Sequence, residues 1–339
     1  GDEARVLMGP GPWCQDPRAG QHGPTTRSPS QATPPAPAEA AGAALLAGQQ
    51  VTVHPDGTAE ALVTLDWTQA PYLAEHCIDG KPVMPFAVGL ELVSELANAL
   101  KPDWHVREVT DLRMFEGVVV HENLRRVLVQ AEPVQVDAER AAYRVRIVDP
   151  AKPIRPLCRG LAGEVLNGDP VGSFPLSTSE AYRQYTFHGP LYRIIKEIRA
   201  FDATTGIDAV VTPSPFGQAL NGNGNGSGNG KRPAGWLIDP ITIDAAPQLA
   251  TMWTHAVHGI TTLPSRVLSY ERFGPLGSGP LELRMRVARG TDASSYNFDV
   301  WFLRDGRVLG RLKGLEGAGS AALNRIVGPD RVRAPFEQA

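Results

Sequence analysis

A histidine, a glycine and a proline stand in the spacing His-x3-Gly-x4-Pro, with His76, Gly80 and Pro85 as its fixed points. Imidazole exchanges a proton near neutral pH, so His76 is a candidate general base. Gly80 permits a bend or a close backbone approach that a Cβ would block. Pro85 suits the first turn of a helix, where its missing N–H costs nothing. The free N–H groups around such a helix start can receive a developing oxyanion. These residue types describe proton chemistry beside a carbonyl. A second constellation is Asp244 and Gln248, an acid and an amide that share one side of a helix. Taken singly, each has a plainer reading. A lone histidine before a turn is more often structural than catalytic, and Asp near a helix start is an ordinary cap or dipole partner.

The elements that must position these groups follow from periodicity. Residues 86–100 carry Val88, Leu92 and Leu96, with Val93 and Leu100 on the neighbouring row, and read as an amphipathic helix. Residues 240–255, with Ala245, Leu249, Met252 and Trp253, read as a second helix. Alternating segments at 51–53, 59–65, 106–115, 125–134, 142–147 and 157–165 surround the first helix. Segments at 193–201, 207–212, 266–273, 281–288, 296–303 and 308–314 surround the second. The pattern is a β-helix-β-β-β unit used twice, an antiparallel sheet wrapped around one helix in each half.

Residues 1–48, rich in Pro, Ala, Gly, Ser and Thr, read as an interdomain linker of a larger polypeptide. Residues 49–172 form the first unit and 173–325 the second, with 326–339 as a C-terminal linker. The Asn/Gly alternation inside 219–232 reads as a flexible, solvated insertion, because no Gly-Lys-Ser/Thr follows it to cradle a phosphate. A formal net charge of −3 gives no basic excess for nucleic acid. No apolar run approaches the roughly 20 residues of a membrane span, and no charged-then-apolar leader is present. Cys14, Cys77 and Cys158 show no metal-type spacing, so free thiols in the cytoplasm are expected. Cys77 stands beside His76, but adjacent side chains point apart and cysteine is among the most buried residue types.

The spacing from His76 to Pro85 resembles the catalytic-histidine motif of polyketide synthase dehydratase domains. Asp244-x3-Gln248 resembles the catalytic-aspartate motif of the same family. Phe187-His188-Gly189-Pro190-Leu191-Tyr192 resembles its Tyr-Gly-Pro-x-Phe segment, and Leu263-Pro264 its Leu-Pro segment. The four motifs stand in family order. The resemblance implies an α+β double hot-dog fold, two antiparallel sheets each wrapped around a central helix, in which His76 of the first hot dog meets Asp244 of the second. It implies a 3-hydroxyacyl thioester on the phosphopantetheine arm of acyl carrier protein, losing water to become a 2-enoyl thioester. His76 would then be the base. Asp244, kept protonated by an apolar tunnel, would be the acid, with Gln248 orienting it or the hydroxyl and N–H groups near Gly80 and Pro85 meeting the oxyanion. No metal and no bound cofactor are implied. Acyl carrier protein, neighbouring synthase domains and a second copy in a homodimer are the implied partners.

The sequence departs from the family at one place. Where the family carries two tyrosines before Gly-Pro, this chain has Thr186 and His188, with Tyr185 one place out of register. A contact to the substrate hydroxyl therefore falls to Tyr185 or His188, beside Gly189 and Pro190, or is absent. The Phe-His-Gly-Pro variant is closer to iterative polyketide and polyunsaturated fatty acid synthases than to typical modular ones. Two other functions fit the same fold: a catalytically silent scaffold or gate, and an isomerase or cyclase.

Overall fold

The computed structural model describes residues 4–9, 45, 46, 49–102, 104–120, 124–138, 140–150, 169–213, 236–288 and 295–328. The expected strand at 157–165, the insertion 219–232, Cys14, Cys158 and most of both linkers lie outside these residues. In the first half the elements are β1 (Ala4–Gly9), β2 (Val51–Val53), β3 (Ala59–Asp66), α1 (Pro71–Ala74), β4 (Cys77–Ile78), β5 (Lys81–Pro82), α2 (Phe86–Leu100), β6 (His105–Arg113), β7 (Leu124–Val136) and β8 (Ala141–Val148). The second half has α3 (Thr178–Tyr185), β9 (Ile195–Asp202), β10 (Gly206–Val211), α4 (Pro240–His258), β11 (Thr261–Arg272), β12 (Leu281–Val287), β13 (Ser295–Arg304) and β14 (Arg307–Ser320).

The long strands run in the order β2-β3-β7-β8-β1-β6-β11-β14-β13-β12-β10-β9. The two sheets expected from the sequence are joined edge to edge through β6 and β11, which pair antiparallel from Arg113↔Arg266 to Glu108↔Glu271. An ion pair reinforces the seam, Arg266 Nε lying 2.7 Å from Asp111 Oδ1, and Arg266 Nη1 also lies 3.2 Å from Glu316 Oε1 on β14. Residues 4–9 correct the linker reading of 1–48. They form β1, which lies between β6 and β8 with Val6 and Met8 buried. The Pro- and Ala-rich residues that follow dominate the local composition and mask a short apolar alternation.

Helix α2 packs against β1, β3, β6, β7 and β8, α4 packs against β10, β11 and β12, and the two helices touch each other. The amphipathic reading of α2 is corrected by its surroundings, since every residue from Phe86 to Ala97 is buried, Glu91 and Glu95 included. Each carboxylate has a structural task. Glu91 accepts from the Leu237 and Ile238 N–H groups at 2.6 and 2.8 Å. Glu95 accepts from Leu45 N–H at 3.0 Å and from Leu46 N–H at 2.9 Å. Backbone donors buried outside helix and sheet must find such partners. Glu91 thereby ties the first helix to the segment entering the second.

Burial raises both carboxyls, and the neighbouring Glu91 charge lifts Glu95 well above the ordinary glutamate value. Below that ordinary value native and unfolded chains both hold the proton. Above it the unfolded chain releases the proton first, so stability falls as pH rises towards the native value. The slope is about 1.4 kcal/mol per pH unit for one such proton. Urea midpoints should decline as pH rises above the ordinary glutamate value, and Glu95→Gln should flatten that decline. An identical slope in the variant would remove Glu95 as its source.

Candidate active site

The site is assembled from one segment of each half. In the first, β4 and β5 form a hairpin whose two turn residues, Asp79 (φ 50°) and Gly80 (φ 73°), both sit in the left-handed region. An Asp-Gly pair suits the tight turn that matches strand twist. The hairpin returns Val83 alongside His76. Val83 N–H donates to the His76 carbonyl at 2.9 Å, and His76 Nδ1 lies 2.8 Å from the Val83 carbonyl. A carbonyl can only accept, so Nδ1 carries the proton and Nε2 keeps its lone pair. Burial, then the charge of His188, pushes the His76 imidazole down to about 4. At neutral pH it is an uncharged base. Pro85 caps α2, and its carbonyl accepts from the Val88 and Gly89 N–H groups. Helix geometry leaves the Phe86 and Ala87 N–H groups without an intrahelical acceptor.

In the second half, residues 186–192 run past this hairpin. His76 and His188 form an isolated antiparallel bridge. Gly189 N–H donates to the Glu75 carbonyl at 2.8 Å, and Leu191 N–H donates to the Glu75 carboxylate. A Cβ on Gly189 would stand 2.7 Å from Glu75 Cβ. Gly189, expected beside the substrate, and Leu191, just past Pro190, thus fasten one half-site to the other. Glu75, which the motif reading passed over, is their anchor.

Tyr185 is not brought to the cluster. It stacks on His255 with ring centroids 4.3 Å apart, and His255 lies three turns beyond Asp244 on α4, roughly 16 Å along the axis. Tyr182, three residues earlier on α3, reaches the site instead. The sequence signal for α3 was the Ser177-x-x-Glu180 capping box, whose two reciprocal bonds are both formed. Ile195 N–H donates to the Tyr182 oxygen at 2.9 Å, and the Tyr182 hydroxyl donates to Gln248 Oε1 at 3.2 Å.

Asp244 lies in the second turn of α4, which Asp239 opens by accepting from Thr242 N–H at 3.2 Å. Gln248 Nε2 donates to Asp244 Oδ2 at 2.9 Å, and His188 Nε2 lies 3.2 Å from the same oxygen. The expectation of a protonated Asp244 is corrected here. Burial does raise its carboxyl, but the hydrogen bond and charge of His188, the charge of His76 and the Gln248 hydrogen bond outweigh burial. The net value is held below the ordinary one. Composition revealed the apolar surroundings, whereas the partner that offsets them comes from a distant segment.

Around these groups, the ring of Phe187 stands 5.0 Å from His76 and stacks 4.2 Å from His188. The two imidazoles are 5.2 Å apart. Tyr192 lies 5.7 Å from His188 and 6.0 Å from His76, and sequence reasoning missed it because its place in the motif belongs to a phenylalanine. Its hydroxyl and His188 Nδ1 are buried without a hydrogen-bond partner among the described residues. His76, His188 and Asp244 each offer a ligating atom, all within 4.8 Å of one another. Within this set His188 and Asp244 are in direct contact through Nε2 and Oδ2. Arg193 and Arg272 are tied inward: Arg193 Nε donates to the His188 carbonyl at 3.1 Å, and the Arg272 charge acts on Glu91. No described helix is long and apolar enough to cross a membrane.

A search of curated proteins finds no match to this chain. Solved structures do match its fold. The dehydratase domain of a mycocerosic acid synthase-like polyketide synthase is 16% identical, with a TM-score of 0.57 over 85% of this chain and 100% of that one. The dehydratase domain from the CurJ module of curacin polyketide synthase is 13% identical, with a TM-score of 0.54 over 80% of this chain and 96% of that one. The dehydratase domain of PpsC from Mycobacterium tuberculosis is 16% identical, with a TM-score of 0.53 over 80% and 97%. These neighbours share the double hot-dog architecture. A family model described as polyketide synthase dehydratase domain matches residues 45–148, and one described as polyketide synthase dehydratase N-terminal domain matches residues 168–320. Matched across both halves, the chain belongs to the polyketide synthase dehydratase family.

Proposed function

We propose that this chain removes water from a 3-hydroxyacyl thioester carried on the phosphopantetheine arm of an acyl carrier protein. The observation that carries the reading is an uncharged His76, with its lone pair on Nε2, beside a buried Asp244–His188 pair. A thioester carbonyl acidifies the α-proton, and a neutral imidazole with its other nitrogen pinned by a carbonyl is suited to take it. The enolate oxygen that forms needs donors, and the open N–H groups at the start of α2 are of the required kind. The leaving β-hydroxyl needs a proton, which the Asp244–His188 pair on the opposite half supplies. The buried ring of Phe187 and the walls of α2 and α4 keep bulk water from the reacting atoms. Docking of a carrier protein, neighbouring synthase domains and homodimer formation belong to the same proposal.

The deciding experiment is mass spectrometry of a 3-hydroxyacyl carrier protein after incubation with the domain. The expected product has lost one water. His76→Phe and Asp244→Asn should fold, still bind substrate, and each lose roughly 10²–10⁴-fold in rate, the usual contribution of a positioned acid or base. The double variant should be scarcely slower than the slower single one, because both groups act in one step. Dehydration near the wild-type rate in His76→Phe would leave a silent scaffold as the better reading. Because burial and His188 hold His76 near 4, the acid limb of kcat/KM should fall near pH 4 and not near the ordinary histidine value.

Tyr192→Phe separates function from stability. Removing a buried hydroxyl that has no partner among the described residues should leave the melting temperature unchanged or raise it. If that hydroxyl holds the substrate, the rate should drop roughly three- to tenfold, the value of one neutral hydrogen bond. A fall in stability with unchanged turnover would give Tyr192 a packing role.

A further inference from the structure

The direction of every hydrogen bond behind Asp244 is fixed from one end. Ile195 N–H can only donate, so the Tyr182 oxygen accepts, and its own proton must point onward. It points to Gln248 Oε1, which turns the amide nitrogen of Gln248 towards Asp244. Asp244 Oδ2 therefore receives an N–H from Gln248. It receives a second from His188, whose Nε2 lies 3.2 Å away. With Oδ2 accepting two N–H groups, a proton on Asp244 would have to sit on Oδ1, and the lowered carboxyl argues against one there. The other nitrogen of His188, Nδ1, is buried and has no partner among the described residues. A buried polar atom without a partner calls for an explanation, and a substrate group is one.

Building on the dehydratase reading, we infer that His188 delivers the proton to the departing β-hydroxyl through Nδ1–H, with Asp244 acting as the fixed anion behind it. The step balances as follows. His76 Nε2 takes the α-proton, and the C–H electron pair becomes the new Cα–Cβ double bond. The Cβ–O bond breaks with its pair going to oxygen, and His188 Nδ1 supplies the proton that completes water. His76 is left as imidazolium and His188 as neutral imidazole that still donates Nε2–H to Asp244. Return of one proton from His76 to His188, whose rings stand 5.2 Å apart, resets the site. Among the described residues, the titratable and charged neighbours of His188 are Asp244 from α4, His76 and Glu75 from the first half, Tyr192 from the turn that follows it, and Arg193, which donates to its carbonyl. The lowered Asp244 carboxyl fits a carboxylate that stays charged throughout.

The test compares leaving groups. His188→Gln keeps an amide donor for Asp244 but has no proton to transfer. On a 3-hydroxyacyl thioester it should lose at least roughly 10²-fold in rate. On the 3-chloroacyl analogue, whose chloride departs without a proton, it should eliminate within about tenfold of wild type, whereas His76→Phe should be slow on both. Asp244→Asn, which retains an acceptor for Nε2–H, should keep measurable dehydration, with the alkaline limb of its pH profile moved to lower pH because the anion facing the imidazolium is gone. Should His188→Gln not fold, ¹⁵N-histidine spectra of the wild-type protein at neutral pH decide: His188 must carry protons on both nitrogens. Equal losses of His188→Gln on both substrates, total loss of dehydration in Asp244→Asn, or a singly protonated His188 would overturn the assignment. A wild-type protein that removes no water from the 3-hydroxy substrate but does eliminate chloride would sink the dehydratase reading itself. That outcome is distinct from the failure of His188 alone.

Discussion

The site depends on the short antiparallel contact between residues 75–76 and 188–191. His76 belongs to one half of the molecule, while His188 and Asp244 belong to the other. Covalent continuity alone sets no distance between them. The contact does, through Gly189 N–H on the Glu75 carbonyl and Leu191 N–H on the Glu75 carboxylate. It works only because Gly189 has no side chain where Glu75 Cβ sits 2.7 Å from an added Cβ. A bulkier residue would separate the strands and with them the two imidazoles. The Gly-Pro pair is thus a geometric device, the glycine for approach and the proline to open the short turn that carries Tyr192.

The second constraint is the pair of buried carboxylates on α2. Burying a charge costs several kcal/mol unless hydrogen bonds meet it. Glu91 meets Leu237 and Ile238, the two residues immediately before the Asp239 cap of α4. Where α4 begins is therefore set from α2, and Asp244 and Gln248 follow at fixed rotation along the helix. The site is held twice, once by the strand contact at His76 and once by the carboxylate that fixes the start of α4.

Much of this was legible in the sequence, for reasons that can be named. His76 and Pro85 are adjacent along the chain, and Asp244 and Gln248 share one helix, so local spacing carries their relation. Both central helices declare themselves by period. What was hidden involves residues brought together from far apart. The charge state of Asp244 depends on His188, which is remote in sequence and arrives only through a two-residue bridge. Strand β1 was masked by the composition of the residues after it. Tyr182 was passed over for Tyr185 because α3 was not recognised. With the Ser177 capping box taken as a helix start, Tyr182 falls on the buried face next to Ala181, and Tyr185 falls at the frayed end.

Two histidines with ring centres 5.2 Å apart would compete for one role if their surroundings were alike. They are not. His76 spends its Nδ1 proton on the Val83 carbonyl, a group that cannot return one, in a pocket whose burial favours the uncharged ring. His188 instead faces a carboxylate, its Nε2 lying 3.2 Å from Asp244 Oδ2. The proposed mechanism uses these opposite environments to divide one residue type into a proton acceptor and a proton donor, the same logic by which paired carboxylates divide into acid and base elsewhere. A tyrosine in place of His188 would be a weaker acid with a single proton, and a carboxyl behind it would then have to supply the acidity. With histidine at that position, the carboxylate need only stay charged. Under the role proposed for His188, the residue at this place in the Gly-Pro motif decides which atom carries the proton, while the elements that hold the site need not move.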